Sequence, residues 1–550
     1  MIIIETTYFI LITLFSIFSI YGLGQLLIYK FNKNFFESTF YGFIVASFLI
    51  TVFHFFIKIN LYFSFIIFFL GLIVGIKKFN FLKIKLDKKT IIYFLIFLSL
   101  VPIYISQKYH EDFGYYHLPY LINMINEKII FGLANVNYAF AHNSIWLNIL
   151  SIFYLRDNFN FVSLPAFIIY SLFIIFSISQ IIKNNYKISN YFLIVSIFYL
   201  ILKYTRISEF GNDIPSIIFS ILSIYNFFLF NEEKGIKRKK NFFFNNFSFA
   251  CFAILIKFSS IPILMLTFIL FFKNYKILIK DILKFNYIFI YSVCFLFFLQ
   301  QFFYTGCFIF PSNFSCFNVS WFNEYFLDIK YKLELINKSY FVTAKDSLSE
   351  EEYLKNFTWL SYWFKKNYVE ISEHLLTMSI PLLAYLFFLK KTNSKNILYF
   401  KEFSFFIFFT SIGFIFWLSF SPVYRFGVIY FLCLIFLLTF LINKNKFFSQ
   451  KIFITFLSIF LIFNLSKNIK RLAKEEKIFF GIKKIENDHV INSYNNNIIS
   501  VYKPDFEANL KKGNGWQSRL CWDIKFLCTR NEILINKKNN YLIIKDLKKK

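Results

Sequence analysis

The sequence predicts an all-α polytopic membrane protein from three features. Apolar runs long enough to cross a bilayer recur along most of the chain, charge is concentrated in the gaps between them, and no water-soluble core of normal proportions could hide so much apolar surface. Hydrophobic residues are 57% of the 550 and charged residues 17%, with a mean hydropathy of +0.56. The 87 Phe, with abundant Ile, Lys and Asn, follow AT-rich coding drift, so a Phe position carries little information. Residues kept against that drift carry more: seven of the 60 basic residues are Arg, and there are 9 Pro and 7 Trp.

Spans are expected near residues 8–28, 37–57, 59–76, 90–106, 160–182, 188–204, 214–231, 244–257, 260–273, 285–303, 374–389, 402–420, 426–442 and 451–466. That makes about fourteen transmembrane helices, the two around Lys257 being shorter than the ~20 residues a crossing needs. The first run, Tyr8 to Tyr29, has no basic stretch before it and no small-residue cleavage site after it, and reads as a retained span. The organisation expected is a transmembrane domain over 1–466, with long loops at 107–158 and 304–373, and a small soluble segment over 467–550. That segment is polar and mixed from Glu486 onward, with a Gly-Asn-Gly turn at 513–515. No internal repeat of solenoid length is visible.

A net charge of +29 raises nucleic acid as a partner, but the position of the charge excludes it. Basic residues concentrate in Lys30–Asn34, Lys77–Lys89, Lys183–Lys187, Lys234–Lys240, Lys273–Lys284, Lys390–Lys395 and Lys444–Lys451, all of which fall on one side of the expected spans. Membrane insertion places such loops in the cytoplasm. The loops left on the outer face are His110–Asp157, Ile207–Asp213, Gly306–Glu373 and Ser421–Arg425, with the N-terminus and the tail. A multi-pass protein of the cytoplasmic membrane is expected, its polar stretches facing the extracytoplasmic side. The basic run Lys467–Lys484 goes against this bias, which weakens for terminal segments.

The stretch His110-Glu111-Asp112-Phe113-Gly114-Tyr115-Tyr116-His117-Leu118-Pro119-Tyr120 follows the fourth apolar run, and His110, His117 and His142 are half of the six histidines in the chain. Titratable groups at the mouth of a span are functional-site candidates, because they must be hydrated or paired there; the plainer alternative is a solvated connection between two spans. Downstream, Leu118, Leu121, Ile122, Ile125 and Ile129 recur at helical spacing with Pro119 in the first turn, as in a helix lying in the membrane interface. Asn143 to Leu155 is expected to form a second, with Trp146 as its interfacial anchor. Arg206-Ile207-Ser208-Glu209-Phe210-Gly211-Asn212-Asp213-Ile214-Pro215 is a second acidic stretch after a later span. Glu209 and Asp213, four apart, could share a helical face; Asn212 to Pro215 also reads as a helix start.

Cys251, Cys294 and Cys433 lie in apolar runs, as small core residues do. Cys307 with Cys316, and Cys521 with Cys528, are close pairs that could form disulfides on an oxidising face and would be reduced thiols on the other. Over Trp321 to Trp363, with Trp359 and Trp363 four apart and an acidic run at Ser349–Glu352, helices that cover an outer cleft are expected; the tryptophans read as packing residues, with an aromatic floor for a ligand ring as the alternative.

These residues resemble the GT-C class of membrane glycosyltransferases, which take sugars from polyprenyl-phosphate carriers; the protein mannosyltransferases and the lipid A aminoarabinose transferases are members. The resemblance rests on the acidic pair Glu111-Asp112, the aromatic pair Tyr115-Tyr116, two interfacial helices, and the second acidic stretch ending at Asp213, over residues 90–310. It is one of layout more than strict sequence. Three extra spans precede the acidic pair here, and the double-Trp-Asp signature of oligosaccharyltransferase catalytic subunits is absent, which leaves donor and acceptor open and points to a divergent bacterial branch.

By resemblance Asp112 is the base that takes the acceptor proton, with Glu111 in support, and Tyr115, Tyr116 and His117 line the substrate site. The departing lipid phosphate needs fixed cations, and Arg206, Lys257 and Arg425 are candidates; Lys257 also reads as a snorkelling lysine, and Arg425 as an interfacial structural arginine. Glu209 and Asp213 are candidates for acceptor contacts. A divalent cation held by Asp112 and Asp213 is the one cofactor considered, and the His110, Asp112, His117 spacing matches no standard transition-metal pattern. The partners implied are membrane lipid, a polyprenyl-phosphate-linked sugar and an envelope glycan, lipid or protein acceptor. The alternatives are a lipid or glycan flippase or transporter, and a surface-polysaccharide polymerase or ligase. Transport predicts ionisable groups deep inside the spans, where very few occur.

Overall fold

Backbone polar groups have no water to bond to inside a bilayer, so segments this apolar satisfy them as helices. The computed structural model describes residues 2–28, 34–79, 87–106, 112–155, 161–183, 188–207, 212–389, 400–443, 449–474, 491–495, 498–505, 507, 520–521, 526–529 and 531–546. The helices are α1 (Ile2–Ile28), α2 (Phe35–His54), α3 (Leu61–Lys78), α4 (Lys88–Ile105), α5 (Leu118–Asn126), α6 (Ile145–Ser151), α7 (Leu164–Lys183), α8 (Ile188–Lys203), α9 (Asp213–Glu232) and α10 (Ile236–Ile256). They continue with α11 (Leu264–Lys273), α12 (Tyr275–Leu278), α13 (Phe285–Thr305), α14 (Tyr325–Asn337), α15 (Tyr340–Thr343), α16 (Glu350–Leu354), α17 (Trp359–Phe388), α18 (Phe400–Phe420), α19 (Tyr424–Asn443) and α20 (Gln450–Leu472).

Among the described residues, 10 helices are long and apolar enough to cross a membrane. Three of the other expected spans coincide with shorter apolar helices, Ile188–Lys203, Phe258–Lys273 and Tyr424–Phe440. The fourth, 244–257, is the apolar half of α10, whose first turns carry Lys237, Arg238, Lys239 and Lys240. The span expected at 374–389 is the end of a 30-residue helix, α17, which starts at Trp359 inside the stretch expected to be loop. Trp359 and Trp363 are buried there, and Ser349–Glu352 forms a capping box at the start of α16.

α7 and α9 lie at the centre with nearly all side chains covered, whereas α3, α18 and α20 leave most of theirs outward. Lipid gives apolar side chains little reason to leave it, so membrane helices depend on close packing. α1 and α3 achieve this through glycine. A Cβ on Gly71 would stand 2.2 Å from the Ser19 carbonyl oxygen, and one on Gly22 1.8 Å from that of Gly71.

The first long loop departs from the sequence expectation in one respect. Its two short helices exist as α5 and α6, but neither lies half in water. Leu118 through Met124 and Ile145 through Ser151 are buried, and Trp146, expected at the interface, is fully enclosed with its ring 5.4 Å from Phe43. Amphipathic spacing shows which face is polar and not what covers it, and here the polar face meets other polar groups. The Tyr120 hydroxyl donates to Asn148 Oδ1 at 2.8 Å, Asn148 Nδ2 donates to Gln300 Oε1 at 2.9 Å and to Thr51 Oγ1 at 2.9 Å, and Gln300 Nε2 donates to the Tyr304 hydroxyl at 3.0 Å. A connected network of this kind fixes the loop against α2 and α13.

The tail holds two antiparallel hairpins, β1 (Ile491–Asn495) with β2 (Ser500–Pro504), and β3 (Ile533–Lys538) with β4 (Tyr541–Asp546). β4 docks on the first long loop: Phe131 N donates to Leu542 O at 3.0 Å, Ile544 N to Phe131 O at 2.9 Å, and Asn135 Nδ2 to Ile544 O at 2.9 Å. Disulfides join Cys307 to Cys316 after α13 and Cys521 to Cys528 in the tail. Loop, tail and both disulfides therefore gather on one face, opposite the basic ends of α3, α7 and α11.

Close approach at Gly71 has a measurable consequence. Gly71→Val should cost about 1–3 kcal/mol of stability through overpacking, read as a lower melting temperature in detergent. Gly235→Ala should change nothing, since a Cβ there meets only Glu233 Oε1 at 3.4 Å.

Candidate functional site

The fourth span ends at Ile105, and Asp112 opens a π-helical turn, Phe113–His117, that runs directly into α5. A π turn inserts an extra residue per turn and is frequent at functional sites because it re-aims side chains. It is tied down by Asn137 Nδ2, which donates to Tyr115 O at 3.0 Å, and by the buried network beneath α5. Tyr115 and Tyr116, half-buried, pack edge to face with centroids 6.0 Å apart, and the Tyr116 and His117 rings are 4.2 Å apart.

From the far side of the sequence Arg425, in the first turn of α19, brings Nη2 to 3.5 Å from Asp112 Oδ2. Asp213 begins α9, and Lys257 donates its ammonium to Asp213 Oδ1. Lys257 is at this level because α10 stops there: its backbone is extended (φ −155°, ψ 116°) and a 3₁₀ turn, Phe258–Ile263, leads into α11. Ser260 in that turn bonds Ser216 of α9 at 3.1 Å, and the Tyr430 hydroxyl of α19 donates to Ser259 O at 2.6 Å. This break is thus fastened to α9 and α19, which carry Asp213 and Arg425.

The two ion pairs form one group. The Lys257 ammonium lies 3.8 Å over the Phe426 ring, next to Arg425, whose guanidinium carbon is 5.4 Å from the same ring centre. Asn212 Nδ2 is 3.5 Å from His117 Nε2, joining the two acidic stretches, and Asp213 lies within electrostatic reach of Lys257, Arg425 and His117. Side chains of the four charged residues are between 18% and 38% exposed, so a ligand can reach them while the surrounding protein strengthens their fields. Tyr204, half-buried at the end of α8 with its ring 6.0 Å from that of Tyr199, lies within electrostatic reach of Asp213.

Asp112, Tyr115, Tyr116, His117, Asp213, Lys257 and Arg425 are therefore brought to one place. Arg206 lies within electrostatic reach of Lys467, as Lys203 does. His110, Glu111 and Glu209 lie outside the described residues, and the face shared by Glu209 and Asp213 with them. Asn212 is the N-cap of α9 without a side-chain capping bond, and the Asp213 carboxylate goes to Lys257. His142 packs with Phe310 at 5.4 Å. Phe426 carries no signal in a sequence where Phe is so common, and Tyr204 none because it is uncharged; Asn212 reads as a helix start, with nothing to mark its approach to His117.

Among the described residues no group of three or more His, Cys, Asp or Glu could hold a metal ion, and each carboxylate faces a cation.

A family model, "Domain of unknown function (DUF8201)", matches residues 1–432. The chain belongs to the DUF8201 family. All four charged residues of the site fall within the matched region, while α20 and the tail of this DUF8201 chain lie beyond it. No curated protein and no solved structure matches the chain.

Removing one member of a desolvated pair strands the other. Lys257→Met should lower stability by about 2 kcal/mol, and adding Asp213→Leu should recover at least half of that in thermal melts. Equal losses in the single and double variants would mean that the pair is not coupled.

Proposed function

We propose that this DUF8201 protein is a membrane glycosyltransferase of the GT-C type, moving a sugar from a polyprenyl-phosphate donor to an acceptor of the cell envelope. The observation that carries this is the meeting of Asp112, Asp213, Lys257 and Arg425, which come from four separate segments of a chain poor in charge. As the acceptor oxygen bonds to the anomeric carbon, its proton passes to the Asp112 carboxylate. The bond between that carbon and the phosphate oxygen breaks, and the electron pair leaves with the phosphate. Arg425 meets the growing charge through paired N–H groups. Lys257 can join once the phosphate competes with Asp213 for its ammonium, and Tyr115 and Tyr116 offer ring faces beside the base.

The disulfides on the same face as the site, with basic helix ends opposite, support an extracytoplasmic site in the cytoplasmic membrane. Placement of the charges at helix ends, and not along a path through the spans, favours transfer over carriage of a lipid or glycan.

The test is Asp112→Asn in purified protein supplied with polyprenyl-phosphate donors bearing a hexose or an aminopentose. Transfer and donor hydrolysis should fall by about 10²–10⁴ with the melting temperature unchanged, and Arg425→Lys should retain part of the rate. Wild-type turnover by Asp112→Asn would remove the proposal.

A further inference from the structure

On the face that carries the site, a second group of cations has no part in the chemistry above. α20 is fastened to the end of α8 by side chains on its inner edge: Asn464 Nδ2 donates to Ile201 O at 2.6 Å, and Arg471 Nη1 to Thr205 O at 3.1 Å. Asn468 completes the seam, accepting from Ser106 Oγ at 2.7 Å and from Arg471 Nη1 at 2.9 Å. This register sets Lys467 beside the end of α8, within electrostatic reach of Lys203, Arg206 and Arg471. Glu373 of α17 joins them through an ion pair with Lys203 at 2.8 Å, and Glu370, one turn before it, acts on Tyr424; Lys203, Arg206, Lys467 and Arg471 outnumber these two acids. An aromatic screen of Tyr199, Tyr424 and His374 stands nearby: the Tyr199 hydroxyl bonds His374 Nδ1 at 2.9 Å, and His374 and Tyr424 rings are 3.8 Å apart.

Two further observations say what this group faces. Ile459, Phe463 and Lys467 follow one another at four-residue spacing on the outward side of α20, with Ile459 53% and Phe463 48% exposed. The Lys467 ammonium lies 5.7 Å from the Phe463 ring. An apolar stripe that ends in a cation has the form of a phospholipid, chains along the helix and phosphate at its end. Insertion also disfavours cations on this face, which lies opposite the basic loops. A bound anion offsets that penalty.

We propose that Lys203, Arg206 and Lys467 form a headgroup site for an anionic membrane phospholipid, seated on the outward stripe of α20. The occupant is a lipid, because the approach to Lys467 runs along an apolar helix face.

The test is native mass spectrometry of the full chain, delipidated in non-ionic detergent and titrated with phosphatidylglycerol or with phosphatidylcholine of the same acyl chains. Wild-type protein should bind the first phosphatidylglycerol at least tenfold more tightly than phosphatidylcholine. Arg206→Gln with Lys467→Gln should lose that preference, Arg206→Lys with Lys467→Arg should keep it, and Lys234→Gln with Lys237→Gln, on the opposite face, should leave it unchanged. Melting temperatures of the variants confirm that each is folded. The proposal is overturned by an unaltered preference in the glutamine pair, by an equal loss in the opposite-face control, or by equal affinity for the two lipids. Displacement of the lipid by millimolar inorganic phosphate would overturn it too, since the site would then be one for free phosphate. Cations that serve only to cap the carbonyl ends of α8 and α20 would give the first of these results.

Discussion

A charge taken out of water must be met by another, and in this protein that requirement draws four remote segments together. Asp112 needs Arg425 and Asp213 needs Lys257, and each of the four is delivered by a local break in helix geometry. Asp112 stands at the mouth of a π turn, Asp213 at the first residue of α9, Lys257 where α10 gives way to a 3₁₀ turn, and Arg425 in the first turn of α19. Breaks free side chains to point inward at the membrane surface, where an unbroken helix would carry them past it.

Such a group keeps its shape only if the backbone around it cannot drift. Below it, Tyr120, Asn148, Gln300 and Tyr304 bond one another in the interior, so α5 and the turn that precedes it rest on a rigid floor. To the side, the tail hairpin adds its edge to Phe131, and the Ser259-Ser260 turn is held by α9 and α19. The positions of the ionisable groups are thus set by uncharged hydrogen bonds, a division of labour that leaves the charges available to a ligand.

Much of this was legible in the sequence. Scarcity marked Asp112 and Arg425, and Lys257 stood out as a charge between two short apolar runs. Their common side followed from the lysine loops alone. Which carboxylate meets which cation was not legible, because the pairing depends on how α9, α10 and α19 cross. Composition hid Phe426, one phenylalanine in 87, although its ring lies under Lys257. The spacing of α5 reads as helical in the sequence, yet the burial of α5 and α6 depends on how they meet each other, α2 and α13, which spacing does not show.

The central claim is the meeting of Asp112 and Arg425 across more than three hundred residues of sequence, and proximity can be measured directly. With Asp112→Cys and Arg425→Cys in one chain, a short bifunctional thiol reagent should join the two positions, detected as fragments that stay linked after cleavage between them. Asp112→Cys with Lys237→Cys should stay unjoined. Failure to link Asp112→Cys with Arg425→Cys, while each cysteine alone accepts a monofunctional label, would contradict the account.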